Sequence, residues 1–170
     1  MKLYSGKIPA VAEELVRSLS EAQDIEVSSR EEAKLDVEAV LKEYLRMDRE
    51  LTDRAKDVME QKGLGYGQFS KVKRSLAEER DFGIGDEATG WIANQVLETF
   101  MHSPHVEEVF ADDPTLRRKT RDILKKYMAV DDELDEEVRR RIKNLAEGTQ
   151  TWEIEYQKVM GEMKRKHGLE

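Results

Sequence analysis

His102-x-x-His105, followed by Glu107, Glu108, Asp112 and Asp113, is the only stretch that gathers metal-ligand side chains within a few residues. Two imidazoles and a carboxylate suffice to hold a zinc ion with an open fourth position. Pro104 stands between the histidines, however, and signals a helix end rather than the spacing at which a helix presents two ligands on one face. The pair is therefore read as part of a polar connection, and no metal site is expected. Asp131-Asp132-Glu133 with Asp135-Glu136-Glu137 gathers six carboxylates. Wrapped on a helix they point around most of its circumference, because only positions three or four apart share a face. The bases Lys125, Lys126, Arg139, Arg140 and Arg141 flank the run. Pairs such as Glu136 with Arg140 and Glu137 with Arg141 then make a salt-bridged, solvated face, and the loop geometry of a calcium site is missing.

Gly63-Leu-Gly-Tyr-Gly67 is glycine-rich but lacks the Lys-Ser/Thr of a phosphate-binding loop and follows a helix rather than a strand, so it reads as a helix stop and turn. No serine lies in a Gly-x-Ser-x-Gly turn and only three histidines exist, which leaves no hydrolase constellation. The basic stretches Leu116-Arg-Arg-Lys-Thr-Arg121, Val138-Arg-Arg-Arg-Ile-Lys143 and Lys164-Arg-Lys-His167 would neutralise a few phosphates, but acids lie beside each and aromatics are scarce among them. Cations at 164–166 also suit the last turn of a helix.

The elements that must position these residues follow from periodicity. Val11-Ala12-x2-Leu15-Val16-x2-Leu19 returns as Ile92-Ala93-x2-Val96-Leu97-x2-Phe100, and Val40-Leu41-Lys42-x-Tyr44 with Asp48 and Leu51 returns as Ile123-Leu124-Lys125-x-Tyr127 with Asp131 and Leu134. The offset is 81 residues in the first stretch and 83 in the second, so two residues are inserted between them. The expected fold is all-α: two copies of a three-helix unit, residues 1–83 and 84–170, each with one long helix, packed about a pseudo-twofold axis.

Within each copy the start and stop signals are specific. Pro9 suits the first turn of a helix bearing Val11, Ala12, Leu15, Val16 and Leu19. Ser28-x-x-Glu31 and Ser29-x-x-Glu32 are overlapping capping boxes for a long helix with the stripe Ala33, Val37, Val40, Tyr44, Met47, Leu51, Ala55 and Met59, unbroken to Gly63 or bent near Asp48. In the second copy Asp86 is placed to cap the helix carrying Trp91, and Asp113-Pro114 to open a long helix through Leu116, Thr120, Ile123, Tyr127, Val130, Leu134, Val138, Ile142 and Leu145. The second long helix is likewise read as unbroken or bent near Asp131. Shorter helices follow over Tyr66–Arg80 and Thr151–Lys166, and any strand is confined to Ile25–Val27 and Val106–Phe110. Tyr44 and Tyr127 occupy equivalent places and are candidates to meet on the axis.

Composition sets the outer limits. Of 170 residues 39% are charged and 6% aromatic, the makeup of long exposed helices. The net charge of −8 is spread over both copies, so neither is a basic arm for nucleic acid. The absence of cysteine removes thiolate chemistry and fits a reducing compartment, and no stretch has the length and apolarity of a membrane span or a signal peptide.

Lys7-Ile8-Pro9-Ala10-Val11-Ala12, Gln68-Phe69-Ser70-Lys71-Val72-Lys73-Arg74, Asp81-Phe82-Gly83-Ile84 and Ile123-Leu124-Lys125-Lys126-Tyr127 together resemble the bacterial family called domain of unknown function 507, over nearly the whole chain. The resemblance implies a small bacterial cytoplasmic protein and brings no catalytic, metal or cofactor residues. The expected function is a non-catalytic protein–protein interaction or scaffold module, with an unidentified protein partner or a second copy of itself, working through an exposed helical face near Arg139–Arg141 and Lys164–Lys166. The alternatives are a nucleic-acid or ribonucleoprotein accessory and, last, a metal-dependent enzyme.

Overall fold

Pro9 in the first turn and an apolar stripe from Ile8 to Leu19 give helix α1 (Ile8–Glu21), after a single 3-10 turn at Ser5–Lys7. Gln23, in the left-handed region at φ +58°, stops it and turns the chain into strand β1 (Ile25–Val27). Helix α2 (Arg30–Lys62) follows in this computed structural model, which describes residues 2–169. Ser29 accepts the amide of Glu32 and is the cap; Ser28, the other candidate, instead reaches the carbonyl of His105. With no Gly or Pro inside it, α2 runs 33 residues without a break, about 50 Å at about 1.5 Å per residue. Gly63, at φ +62°, closes it: its own amide bonds the carbonyl of Glu60, and that of Leu64 bonds Met59. Leu41, rather than Val40, takes the fully buried position in the stripe, and Val40 and Met47 lie half-buried beside it.

The rest of the chain is α3 (Phe69–Glu79), α4 (Ala88–His102), β2 (Val106–Val109), α5 (Asp113–Met128), α6 (Val130–Arg141) and α7 (Gln150–Lys166). The fold is thus mostly helical, with one two-stranded sheet among the described residues. Several sequence expectations shift. Asp86 does not cap α4; it lies in a 3-10 turn (Gly85–Glu87), and α4 starts from Glu87 without a side-chain cap bond, because the turn already feeds the chain into helical geometry. Asp112, one residue earlier than expected, caps α5 by accepting the Thr115 amide at 2.9 Å, which puts Asp113 inside the helix. The second long helix tightens at Ala129, in keeping with the alternative of a bend near Asp131, but ends at Arg141, short of Leu145. Lys125 and Lys126 close α5 and Asp131, Asp132 and Glu133 open α6, each charge matched to the helix end it occupies.

β1 and β2 pair antiparallel, Ile25 opposite Val109, Glu26 opposite Glu108 and Val27 opposite Val106, with Glu107 left over as an irregularity on β2. α1 packs on α2 and on α5, and α4 packs on α5 and on α2, so both halves of the chain build one core. Leu15, Leu19, Leu41, Ile92, Phe100, Leu116, Leu124 and Met128 are among its fully enclosed members. Each such large side chain contributes about 1.5–3 kcal/mol by leaving water. A second cluster, Leu134, Val138, Ile142, Trp152, Met160, Met163 and Leu169, fills the α6–α7 hairpin, and Tyr4 from the N-terminal segment completes it.

Candidate interaction surface

In the basic face that the sequence singled out, the three arginines pair with acids of their own hairpin while staying 45–69% exposed, and Arg165 and Lys166 stay exposed with no ion pair among the described residues. Arg139 pairs with Asp135 at 3.0 Å and with Glu147 at 2.6 Å, and its guanidinium lies over the rings of Trp152 and Tyr156 at 5.3 and 5.9 Å. Arg140 and Arg141 both bind Glu137, at 3.0 and 3.2 Å. The expected Glu137–Arg141 pair is present, but Arg140 takes Glu137, three residues back, instead of Glu136. Lys164 sits over the Tyr4 ring at 5.4 Å, and burial first and the Lys2 charge second push its ammonium below the ordinary lysine range. The Tyr4 hydroxyl donates to Asp131 at 2.5 Å, and burial followed by that bond keeps the phenol well above its usual range and therefore protonated. Tyr156 does the same with Asp135.

The two histidines part company. His102 at the α4 end faces Glu98 at 3.5 Å, and His105 faces Glu32 of α2 at 3.8 Å. Among the described residues no three His, Asp or Glu side chains are arranged to hold a metal ion. Tyr44 and Tyr127 also take separate partners. Tyr127 stands beside Glu14, which accepts Lys126 at 2.8 Å. Tyr44 stacks on Phe82 at 5.0 Å, lies 5.7 Å from Trp91, and donates its hydroxyl to the Gly83 carbonyl at 3.1 Å. Burial, with Asp48 adding to it, keeps that hydroxyl protonated far above the ordinary range.

Two surfaces that sequence reasoning did not single out carry charge with no internal partner. One is the α3–α4 junction, where Glu78, Asp81, Asp86 and Glu87, with Lys73, Arg74 and Arg121 among them, rim the depressions on either side of the buried Phe82. None of these four acids joins an ion pair among the described residues. The other is the outward face of the β1–β2 ribbon, where Glu26 and Glu108 stand directly opposite each other, both exposed and neither ion-paired among the described residues. Like charges in directly opposed cross-strand positions destabilise a sheet. Phe110, 62% exposed, stands at the end of the same ribbon. The alternation Ile25-Glu26-Val27 is too brief to mark more than an extended connection from sequence, and the residue facing Glu26 lies in the other half of the chain, where no local pattern names it.

The chain belongs to the family described as protein of unknown function (DUF507), whose model matches residues 1–169. No curated protein matches it.

Proposed function

We propose that this member of the family is a non-catalytic protein–protein interaction module of the bacterial cytoplasm, whose partner presents basic residues. The observation that carries this reading is the distribution of partners among the charges. Arg139, Arg140 and Arg141 are held by acids of their own hairpin, whereas among the described residues Glu26, Glu108, Glu78, Asp81, Asp86 and Glu87 join no ion pair, although Arg74 and Arg121 line the same depressions as the last four. Complementary charge recruits and orients a partner, and a surface of this sign selects basic protein segments and repels phosphate backbones. The net charge of −8 acts in the same direction at long range. The lack of cysteine suits a reducing compartment.

Internal duplication is part of the proposal. The order helix, short strand, long helical stretch, helix occurs twice, the two strands pair with each other, and α1 on α5 mirrors α4 on α2. These relations favour a pseudo-twofold arrangement of two related halves. The test is capture of the intact protein from its native host, with and without nuclease, followed by rebinding of the purified partner at rising salt. A protein partner that survives nuclease and rebinds with salt-sensitive affinity supports the reading. Capture abolished by nuclease overturns it in favour of a ribonucleoprotein role.

A further inference from the structure

We infer that the outer edge of β1 is a docking edge for an extended segment of another protein bearing lysine or arginine, which names the site and ligand class within the interaction-module reading on which it rests. The backbone supplies the first argument. The Phe110 amide donates to the Asp24 carbonyl at 2.8 Å, and the Ser28 amide donates to the His105 carbonyl at 3.0 Å. Asp24 and Ser28 therefore face β2, as does Glu26 between them, because an antiparallel strand turns alternate residues toward its partner. The irregularity is taken up by Glu107 on β2, so the alternation along β1 is kept. The N–H and C=O groups of Ile25 and Val27 then point to the other edge, where the two-stranded sheet has no further strand among the described residues.

A groove of about 570 Å³ runs along that edge. All three β1 residues line it, together with Ser20 and Gln23 from the end of α1 and the exposed ring of Phe110. Unpaired strand edges are templates for a further strand, with main-chain hydrogen bonds giving affinity and alternate side chains giving specificity. Arg30, the cation at the rim, is turned toward Glu21 at 3.8 Å.

Charge decides the occupant. A strand laid along β1 places one of its outward side chains beside Glu26, and a lysine or arginine there relieves the opposition between Glu26 and Glu108. A second copy of this chain does the reverse, since antiparallel pairing of β1 with its own image about the central residue sets Glu26 against Glu26. The fitting partner is thus an extended basic segment that alternates with apolar residues able to meet Phe110.

The probe is a capped Val-Lys-Val-Lys-Val-Lys-Val peptide titrated into the full chain and followed by amide resonances. The expected result is that the Ile25 and Val27 amides shift and their hydrogen exchange slows. The glutamate analogue and a peptide N-methylated at every residue should leave both amides unchanged. Glu26→Lys should weaken binding about tenfold while holding or raising the melting temperature, since the new lysine faces Glu108. Glu108→Lys, at the opposed position, should reproduce both effects. Shifts confined to the α3–α4 junction, or equal binding of the N-methylated peptide, overturn the docking edge. If a captured protein partner rebinds equally to the wild type and to Glu26→Lys, the edge is wrong while the interaction-module reading stands; if no protein partner rebinds at all, both fall.

Discussion

Trp91 donates its indole N–H to the main-chain carbonyl of Asp81 at 3.0 Å, across the junction between α3 and α4, and so ties down a residue held at φ +50°. Phe82 packs edge-on against the same indole at 4.9 Å, and Gly83 passes so close that an added Cβ would lie 2.7 Å from both the Glu87 carbonyl oxygen and the Trp91 Cβ. Gly83→Ala must therefore push main chain away from a packed ring. We expect a loss of about 1–3 kcal/mol, read as a fall in melting temperature of about 2–4 °C per kcal/mol for a chain of this size. An unchanged melting temperature would mean that the junction yields freely.

Tyr44→Phe tests the other tie across that junction. It keeps the ring stacked on Phe82 and removes the donor to Gly83. The Gly83 carbonyl then lacks this partner in a buried setting, at a cost of about 1 kcal/mol. Chemical denaturation should show a lower midpoint with an unchanged slope.

Glu14 makes part of the stability acid-sensitive. Lys126 at 2.8 Å, and then Tyr127, hold its carboxyl below the ordinary value of 4.5 despite the opposing effect of burial. A depressed carboxyl contributes stability that is fully present above the unfolded value and is lost as pH falls through the folded one. The stability gap between wild type and Glu14→Gln should be constant near neutrality, amount to no more than about 1 kcal/mol with Lys126 so exposed, and close below pH 4.5.

Arg139→Ala should act on stability rather than on recognition. It removes the links to Asp135 and Glu147 and uncovers Trp152 and Tyr156. A cost of about 0.5–1.5 kcal/mol follows from a half-exposed ion pair and a cation over an aromatic face. Binding of a purified partner should be unaltered, and a lost partner with an intact melting temperature would restore the basic face as the contact surface.

Helix α2 was legible almost to the residue because a 3.6-residue stripe, Ser29 at one end and Gly63 at the other all agree. The second long helix breaks at Ala129, near Asp131, where the sequence admits a bend as one of two alternatives, because two local signals compete there. Its stripe continues through Ala129 to Leu145, but the adjoining basic and acidic runs place a helix end and a helix start there, and Asp131 is engaged by Tyr4 from the far end of the chain. The same limit explains the surface. The pairing of Arg140 and Arg141 with an acid of their own helix is legible from local spacing, whereas the bond of Arg139 to Glu147 forms only once the hairpin closes, and the opposition of Glu26 to Glu108 exists only after strands from both halves meet.

That meeting has a consequence for synthesis. Ser28 and His105 are bonded across the ribbon but stand 77 residues apart in the chain. At about 5–20 residues per second, β1 emerges from the ribosome several seconds before its partner exists. Throughout that interval α1 and α2 lack α4 and α5, and the ends of their apolar stripes meant for the second half face solvent. Closing the ribbon demands a long loop closure, which places this small helical chain among slower folders than its helix content suggests. A nascent chain stalled within α4 should accordingly be protease-sensitive, and gain protection as one step when α5 is released.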